Sequence, residues 1–257
     1  MVLSEYIVEP AVIPWRKGRA AGLNFQCQIL LSGADGGPEA LHFRFEDCPS
    51  IFAHMHLTSQ FQLLLEGRMD FPKSSMKLRG VAVQYTDHNF PYGPFAVGGG
   101  HDMLVLHPQQ GGLISMADRD ARRQINLKGR HFYGNEADIE WTVLREFARA
   151  RSKPLIPPKS GPYAVMLECL PRVLLDLPSA PYGRYEVVLA GSALISGHRL
   201  CPVAFRYVHQ DQQVAPLEAG PDGAMLMLLA FDQDAREGGL KGDPLSLAAA
   251  EAMERAI

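Results

Sequence analysis

Along most of this chain, apolar segments of about five to nine residues alternate with clusters of Gly, Pro, Asn and Asp. Leu23–Leu31, Ala40–Phe45, Gln60–Leu65, Gly80–Tyr85 and Asp102–His107 are rich in Val, Leu, Ile, Phe and Tyr, and segments this short suit strands better than helices. Between them, Gly33-Ala34-Asp35-Gly36-Gly37-Pro38 and Asn89-Phe90-Pro91-Tyr92-Gly93 carry turn chemistry. Glycine supplies positive φ, proline presets φ, and Asn tolerates the left-handed region. The pattern predicts an all-β protein. Helical periodicity is confined to two places. Asn135 is placed to cap Glu136–Ala150, where Ile139, Val143 and Phe147 share a face, and Asp243-Pro244 opens a terminal run to Ile257.

An internal repeat organises the chain. Pro94 to Leu106 aligns without gaps on Pro216 to Leu228, and upstream Leu64-Leu65-Glu66-Gly67 answers Val188-Leu189-Ala190-Gly191. Two copies of one β unit are expected, residues 1–150 and 151–257, joined through the proline-rich stretch Ser152 to Pro158. A chain of 257 residues is long enough for two such cores.

Composition narrows the function classes. A formal charge of -3 and a pI near 6.3 give no positive field for a phosphate backbone, so nucleic acid is not an expected partner. No stretch approaches the roughly 18 apolar residues of a membrane span, and Met1 to Pro10 lacks the basic end and apolar run of a secretory signal. A cytoplasmic location is expected. Cys27, Cys48, Cys169 and Cys201 are scattered without a Cys-x-x-Cys pair and are expected as buried free thiols.

The chemistry concentrates between Ala53 and Gly67. In a strand, residues two apart share a face, so His54, His56 and Gln60 project together, opposite Met55, Leu57, Phe61 and Leu63. Alternation alone describes equally well a half-exposed strand with its polar residues in water. The whole spacing, however, resembles the first motif of the cupin superfamily: two histidines one residue apart, an acidic ligand after a gap of three or four, and a glycine after six more. Here these are His54, His56, Gln60 in place of Glu, and Gly67. The second cupin motif ends in a glycine, two residues, a histidine and, after three more, an asparagine; Gly98 and His101 match its glycine and histidine, whereas Ala96 and Val105 stand where the family has proline and asparagine.

The resemblance implies two tandem cupin jelly-roll barrels with short helices at the connector and C-terminus. It implies one divalent metal ion (Zn, Ni, Fe or Mn) held in the first barrel by His54, His56, Gln60 and His101. In the second barrel Pro178, Ala180 and Arg184 occupy the corresponding places, so that site is expected to be degenerate. Neutral ligands would leave the cation strongly Lewis acidic. Tyr85, Asp87, His88 and Tyr92 in the intervening loop are the candidate acids, bases and hydrogen-bond donors, with Tyr85, His88 and Tyr92 the catalytic choices. The expected function is a metal-dependent enzyme, isomerase, lyase or dioxygenase, acting on a small acidic or oxygenated metabolite, with a homodimer as the candidate assembly. A non-catalytic small-molecule-binding or structural protein is the alternative.

Overall fold

The computed structural model describes residues 5–20, 23–144, 149–210 and 212–233. Its strands run β1 (Glu5–Val8), β2 (Arg16–Ala20), β3 (Leu23–Ser32), β4 (Glu39–Phe45), β5 (Cys48–Ile51), β6 (His54–His56), β7 (Gln60–Phe71), β8 (Met76–Arg79), β9 (Ala82–Thr86) and β10 (Phe95–His107). They continue with β11 (Leu113–Ser115), β12 (His131–Asn135), β13 (Thr142–Val143), β14 (Ala150–Ile156), β15 (Tyr163–Cys169), β16 (Leu174–Leu175), β17 (Arg184–Ile195), β18 (His198–Leu200), β19 (Phe205–Val208) and β20 (Leu217–Ala230). Only short 3-10 turns interrupt them among the described residues, and no helix there is long and apolar enough to cross a membrane. The all-β expectation holds.

The repeat seen in the sequence is complete in the topology. One sheet has the order β12-β9-β7-β10-β4-β3-β2, with β8 beside β7 and β5 beside β10. The other has the order β1-β19-β17-β20-β15-β14-β13, with β18 beside β17 and β16 beside β20. Role for role the orders are the same, with one exchange in chain order: β1, at the start of the chain, supplies to the second unit the outer strand that β12 supplies to the first. The compact units are therefore 14–135, and 136–233 together with the first strand segment up to Ile13. This differs from a division at 150/151, because Glu5–Val8 pairs residue for residue with Val208–Phe205 on β19. No local pattern in four residues announces so distant a partner.

Among the described residues of Glu136–Ala150 the expected helix does not form. Glu136–Asp138 forms one 3-10 turn, Thr142 and Val143 pair with Ser152 and Arg151, and Ala150–Ile156 is a strand along β15. The stretch read as a connector is thus sheet, and Trp141 packs beneath Arg151 and Lys153, whose charged groups lie 4.7 and 4.9 Å from its ring. Sheet pairing overrides a weak helical period here. The expected terminal helix from Asp243 lies outside the described residues. Of the cysteines, Cys27 and Cys169 are buried, their thiols pushed up to about 12 and about 11 by burial, whereas Cys48 is half-buried and Cys201 exposed.

Inside the first unit, register sorts the core into levels, because directly opposed residues on neighbouring strands share a face. Ala82, Leu64, Met103, Phe43 and Cys27 form an apolar level across five strands. One step along lie Gln84 and Gln62 beside Val105, and a further step brings His131, Thr86 and Gln60 into line. His107 and Glu39 pair at the same end of β10 and β4. The interior is therefore apolar at its base and polar toward one end. At the other end of β7, Gly67 sits at φ +89, where an added Cβ would lie 2.7 Å from the Gly98 carbonyl oxygen and 2.8 Å from the His101 Cα. Gly191 repeats this at φ +71 against Gly223. Both glycines mark a bulge where the two long central strands pass too closely for a side chain.

Candidate functional site

The polar end of the first unit is organised by one phenol. Tyr92 is buried, and its hydroxyl oxygen lies 2.7 Å from His54 Nε2, 2.7 Å from Gln60 Nε2 and 3.0 Å from Gln62 Nε2. His54 Nδ1 is 2.8 Å from the Phe52 carbonyl oxygen, which accepts only if Nδ1 carries the proton. Nε2 is then a bare lone pair, so the Tyr92 hydroxyl donates to it and accepts from the two amides. One donor and two lone pairs are all used. Burial pushes the phenol pKa well above its ordinary value, overcoming the opposite pull of the Gln60 and Gln62 amides, so Tyr92 is a neutral donor.

His54 and Gln60 do stand together, as the alternation predicts, but they are buried rather than solvated. His56 is nearby, its ring 5.3 Å from that of His54 and stacked at 6.2 Å on that of Tyr92. His101 is not with them. It faces Gly67, seven residues along β7 from Gln60, or roughly 20 Å at the usual strand rise. There its ring packs 5.5 Å from Phe45 and its Nδ1 meets the Arg68 carbonyl at 3.1 Å. A histidine one level past the bulge belongs to the opposite end of the strand pair, which the spacing from Gly98 did not reveal.

At this end of the unit it is Tyr92, three residues after Asn89, that stands beside His54. Asn89 turns the chain there at a positive φ of +54. The other expected catalytic residues lie outside the Tyr92 cluster. Tyr85 alternates to the opposite face from Gln84 and Thr86, packs on Phe61 and donates to Asp87 at 2.9 Å. Asp87 is held by Arg130 through bonds of 2.7 to 2.9 Å, which outweigh burial and leave its carboxyl below the usual range. His88 contributes its backbone N–H to Ser59 Oγ at 3.0 Å.

Sequence reasoning missed Gln62, Gln84, His107 and Glu39. The His107 ring lies 5.1 Å from that of His56, Nδ1 approaches Thr58 Oγ1 at 3.2 Å, and Nε2 is 3.7 Å from a Glu39 carboxyl oxygen that accepts from the Gly111 N–H at 2.9 Å. A signal existed: Gln62 and Gln84 are polar residues flanked by apolar ones, two residues from Gln60 and Thr86 respectively.

Burial holds five histidines of this unit neutral. His54, His101, His107 and His131 are each lowered to about 4 by desolvation, and His56 is lowered further in direction by desolvation and by its neighbours His107 and His54. Between pH 6.5 and about 4 the unfolded chain binds protons that these groups refuse in the fold, so unfolding free energy falls as pH drops through that window. Glu39, pushed up to about 7 by burial, acts oppositely: its contribution is full below 4.5 and lost as pH rises through about 7. Several imidazoles outweigh one carboxyl. The urea midpoint is therefore expected to decrease steadily from pH 6.5 to 4; a flat or rising midpoint would show that these rings protonate without cost.

The fit of this end to a cation can be tested on its donors. A metal on His54 Nε2 would sit at about 2.1 Å from it, in the direction already taken by the Tyr92 oxygen at 2.7 Å. Gln60 turns its amide nitrogen, not its oxygen, toward the same point; the Nε2 and Oε1 positions are assigned from these hydrogen bonds. Among the described residues no three His, Cys, Asp or Glu side chains are grouped to hold a cation. With Tyr92 in place, the expected ligands do not close around a common point.

The second unit carries charge at the corresponding level. Register sets Glu186 against Arg206 as Gln62 is set against Gln84, and Arg184 stands in the place of Gln60. Arg184 donates to Glu186 at 2.7 and 3.0 Å and to the Pro178 carbonyl at 2.7 Å; Arg206 donates to the other Glu186 oxygen at 2.6 and 2.8 Å, to the Ala215 carbonyl at 2.7 Å and to Glu5 at 3.3 Å. All three members of this triad are buried, so the level is closed by ion pairs rather than by ligands for a cation.

No protein-family model matches the chain, and no curated protein matches its sequence. Solved structures do resemble it. A candidate dioxygenase from Nostoc punctiforme superposes with a TM-score of 0.66 at 13% identity, over 94% of this chain and 87% of that one. A single-residue variant of oxalate decarboxylase OxdC from Bacillus subtilis gives 0.60 at 9%, over 90% and 78%. The bacterial pirin YhhW from Escherichia coli, in complex with nickel(II), gives 0.55 at 10%, over 89% and 100%. These are cupin-fold proteins, and at such identities the likeness establishes the all-β cupin jelly-roll fold and nothing finer.

Proposed function

We propose that this cupin-fold protein binds a small molecule at the polar end of its first unit, and that the site works without a resident metal. One observation carries the reading: the Tyr92 hydroxyl, held by the amide nitrogens of Gln60 and Gln62, occupies the His54 Nε2 lone pair that a cation would need. Tyr92 then organises the binding layer instead of transferring protons, since a phenol held neutral by burial is a poor base. Orphaned buried amide atoms at this level, the Oε1 of Gln60, Gln62 and Gln84 and the Nε2 of Gln84, support a ligand or water there, because buried polar groups need partners.

A metal-dependent enzyme is the second reading, favoured by the Nδ1–H of His54 donating to a backbone carbonyl, which orients Nε2 as in metal-bound histidines. Elemental analysis separates the two. Protein purified without chelator and equilibrated with Zn or Ni is expected to hold far less than one equivalent. Tyr92→His, which puts an imidazole beside His54 in place of the phenol, is expected to bring it to about one. A full equivalent in the unmodified protein would overturn the proposal in favour of the enzyme.

A further inference from the structure

The Gln84 carboxamide is the least satisfied side chain in the first unit. It is 1% exposed, and neither its oxygen nor its nitrogen has a partner among the described residues. Gln62, directly opposite on β7, uses its nitrogen on Tyr92 and leaves its oxygen unpartnered; Gln60, one level on, uses its nitrogen on Tyr92 and Thr86 and leaves its oxygen likewise. The layer therefore offers three acceptor oxygens and one free –NH2. Its neighbours on the same levels of β7 and β9 carry no Asp, Glu, Lys or Arg.

From this we infer the ligand class: a small uncharged molecule bearing a primary carboxamide or urea group, paired edge to edge with Gln84 and donating a remaining N–H to Gln62 Oε1. The chemistry follows from counting donors. A planar amide with both atoms free is complementary to another planar amide, N–H to O and O to H–N, and the second N–H of the ligand then reaches a further acceptor. Carboxylates and phosphates bring acceptors only, to a layer already rich in acceptors and without a cation to hold them. Protonated amines bring donors only and leave the Gln84 –NH2 unpaired. The corresponding level of the second unit, where Arg184, Glu186 and Arg206 satisfy one another, has no such free amide edge.

This inference rests on the metal-free reading, and the test keeps the two apart. Chelator-treated full-length protein, labelled with 15N, is titrated with acetamide while the side-chain amide resonances of Gln60, Gln62 and Gln84 are followed. Saturable shifts of Gln84 and Gln62 are expected, with acetate, phosphate, methylammonium and glycerol at the same concentrations at least tenfold weaker. Gln84→Leu is expected to weaken the acetamide response at least tenfold, read at Gln62. Should that variant fail to fold, Gln84→Glu retains the volume, removes the –NH2 and is expected to do the same. Equal response to acetate or glycerol, no saturable response to acetamide, or an unchanged midpoint in the folded Gln84 variant would each overturn the ligand class. A stoichiometric metal in untreated protein would instead overturn the reading beneath it.

Discussion

Replacing Glu186 with Gln is expected to cost about 3–5 kcal/mol of unfolding free energy. Glu186 is 0% exposed and accepts from both Arg184 and Arg206. Without its charge, Arg206 keeps Glu5 and the Ala215 carbonyl, but Arg184 keeps only the Pro178 carbonyl, so a guanidinium is left buried beside a neutral amide. The desolvation already spent on that cation is no longer offset, which is why breaking such a group costs more than the group contributes. The triple change Arg184→Met, Glu186→Leu and Arg206→Met removes all three charges at once and is expected to stay within about 2 kcal/mol of the original. The chain has two tryptophans, one in each compact unit, so Trp141 fluorescence in a Trp15→Phe background reads the unit that holds the triad. A cost below about 1 kcal/mol for Glu186→Gln would mean that water reaches these charges.

Tyr92→Phe is expected to cost about 2–4 kcal/mol, through the partners it leaves behind rather than through lost packing. The ring still stacks on Phe95, with centroids 6.0 Å apart. His54 Nε2 and the Gln62 –NH2 lose the one partner those atoms have among the described residues, whereas Gln60 retains Thr86 at 3.2 Å. Tyr133→Phe is the control: this ring is 53% exposed, so its change is expected within about 0.5 kcal/mol. Denaturant unfolding followed at Trp15 in a Trp141→Phe background measures both. Equal effects of the two substitutions would show that the Tyr92 hydroxyl is no hub.

Much of the candidate site was legible. The period-two placement of His54, His56 and Gln60 gave a shared direction, and the loop before Phe95 contained Tyr92. What misled was the glycine at Gly98: its spacing to His101 fits a ligand motif, yet the residue belongs to a bulge opposite Gly67. The residue that does meet His54, Tyr92, lies earlier in the loop and carries no metal signature in the sequence. Gln84 stood out as a polar residue among apolar ones, but its unsatisfied state did not: that depends on what faces it, and its facing residue is Gln62, more than twenty positions earlier.

By itself the sequence determined the strand content, the duplication and the face on which the chemistry lies, because strand period, turn residues and repeat spacing are local and survive without knowledge of contacts. Tertiary structure alone decided that β1 completes the second unit, that Ala150–Ile156 is sheet, that His101 stands apart and that Tyr92 fills the point of convergence. Each of these depends on pairing between residues far apart in the chain, and hydrogen bonds across such distances are set by register, which one sequence does not state.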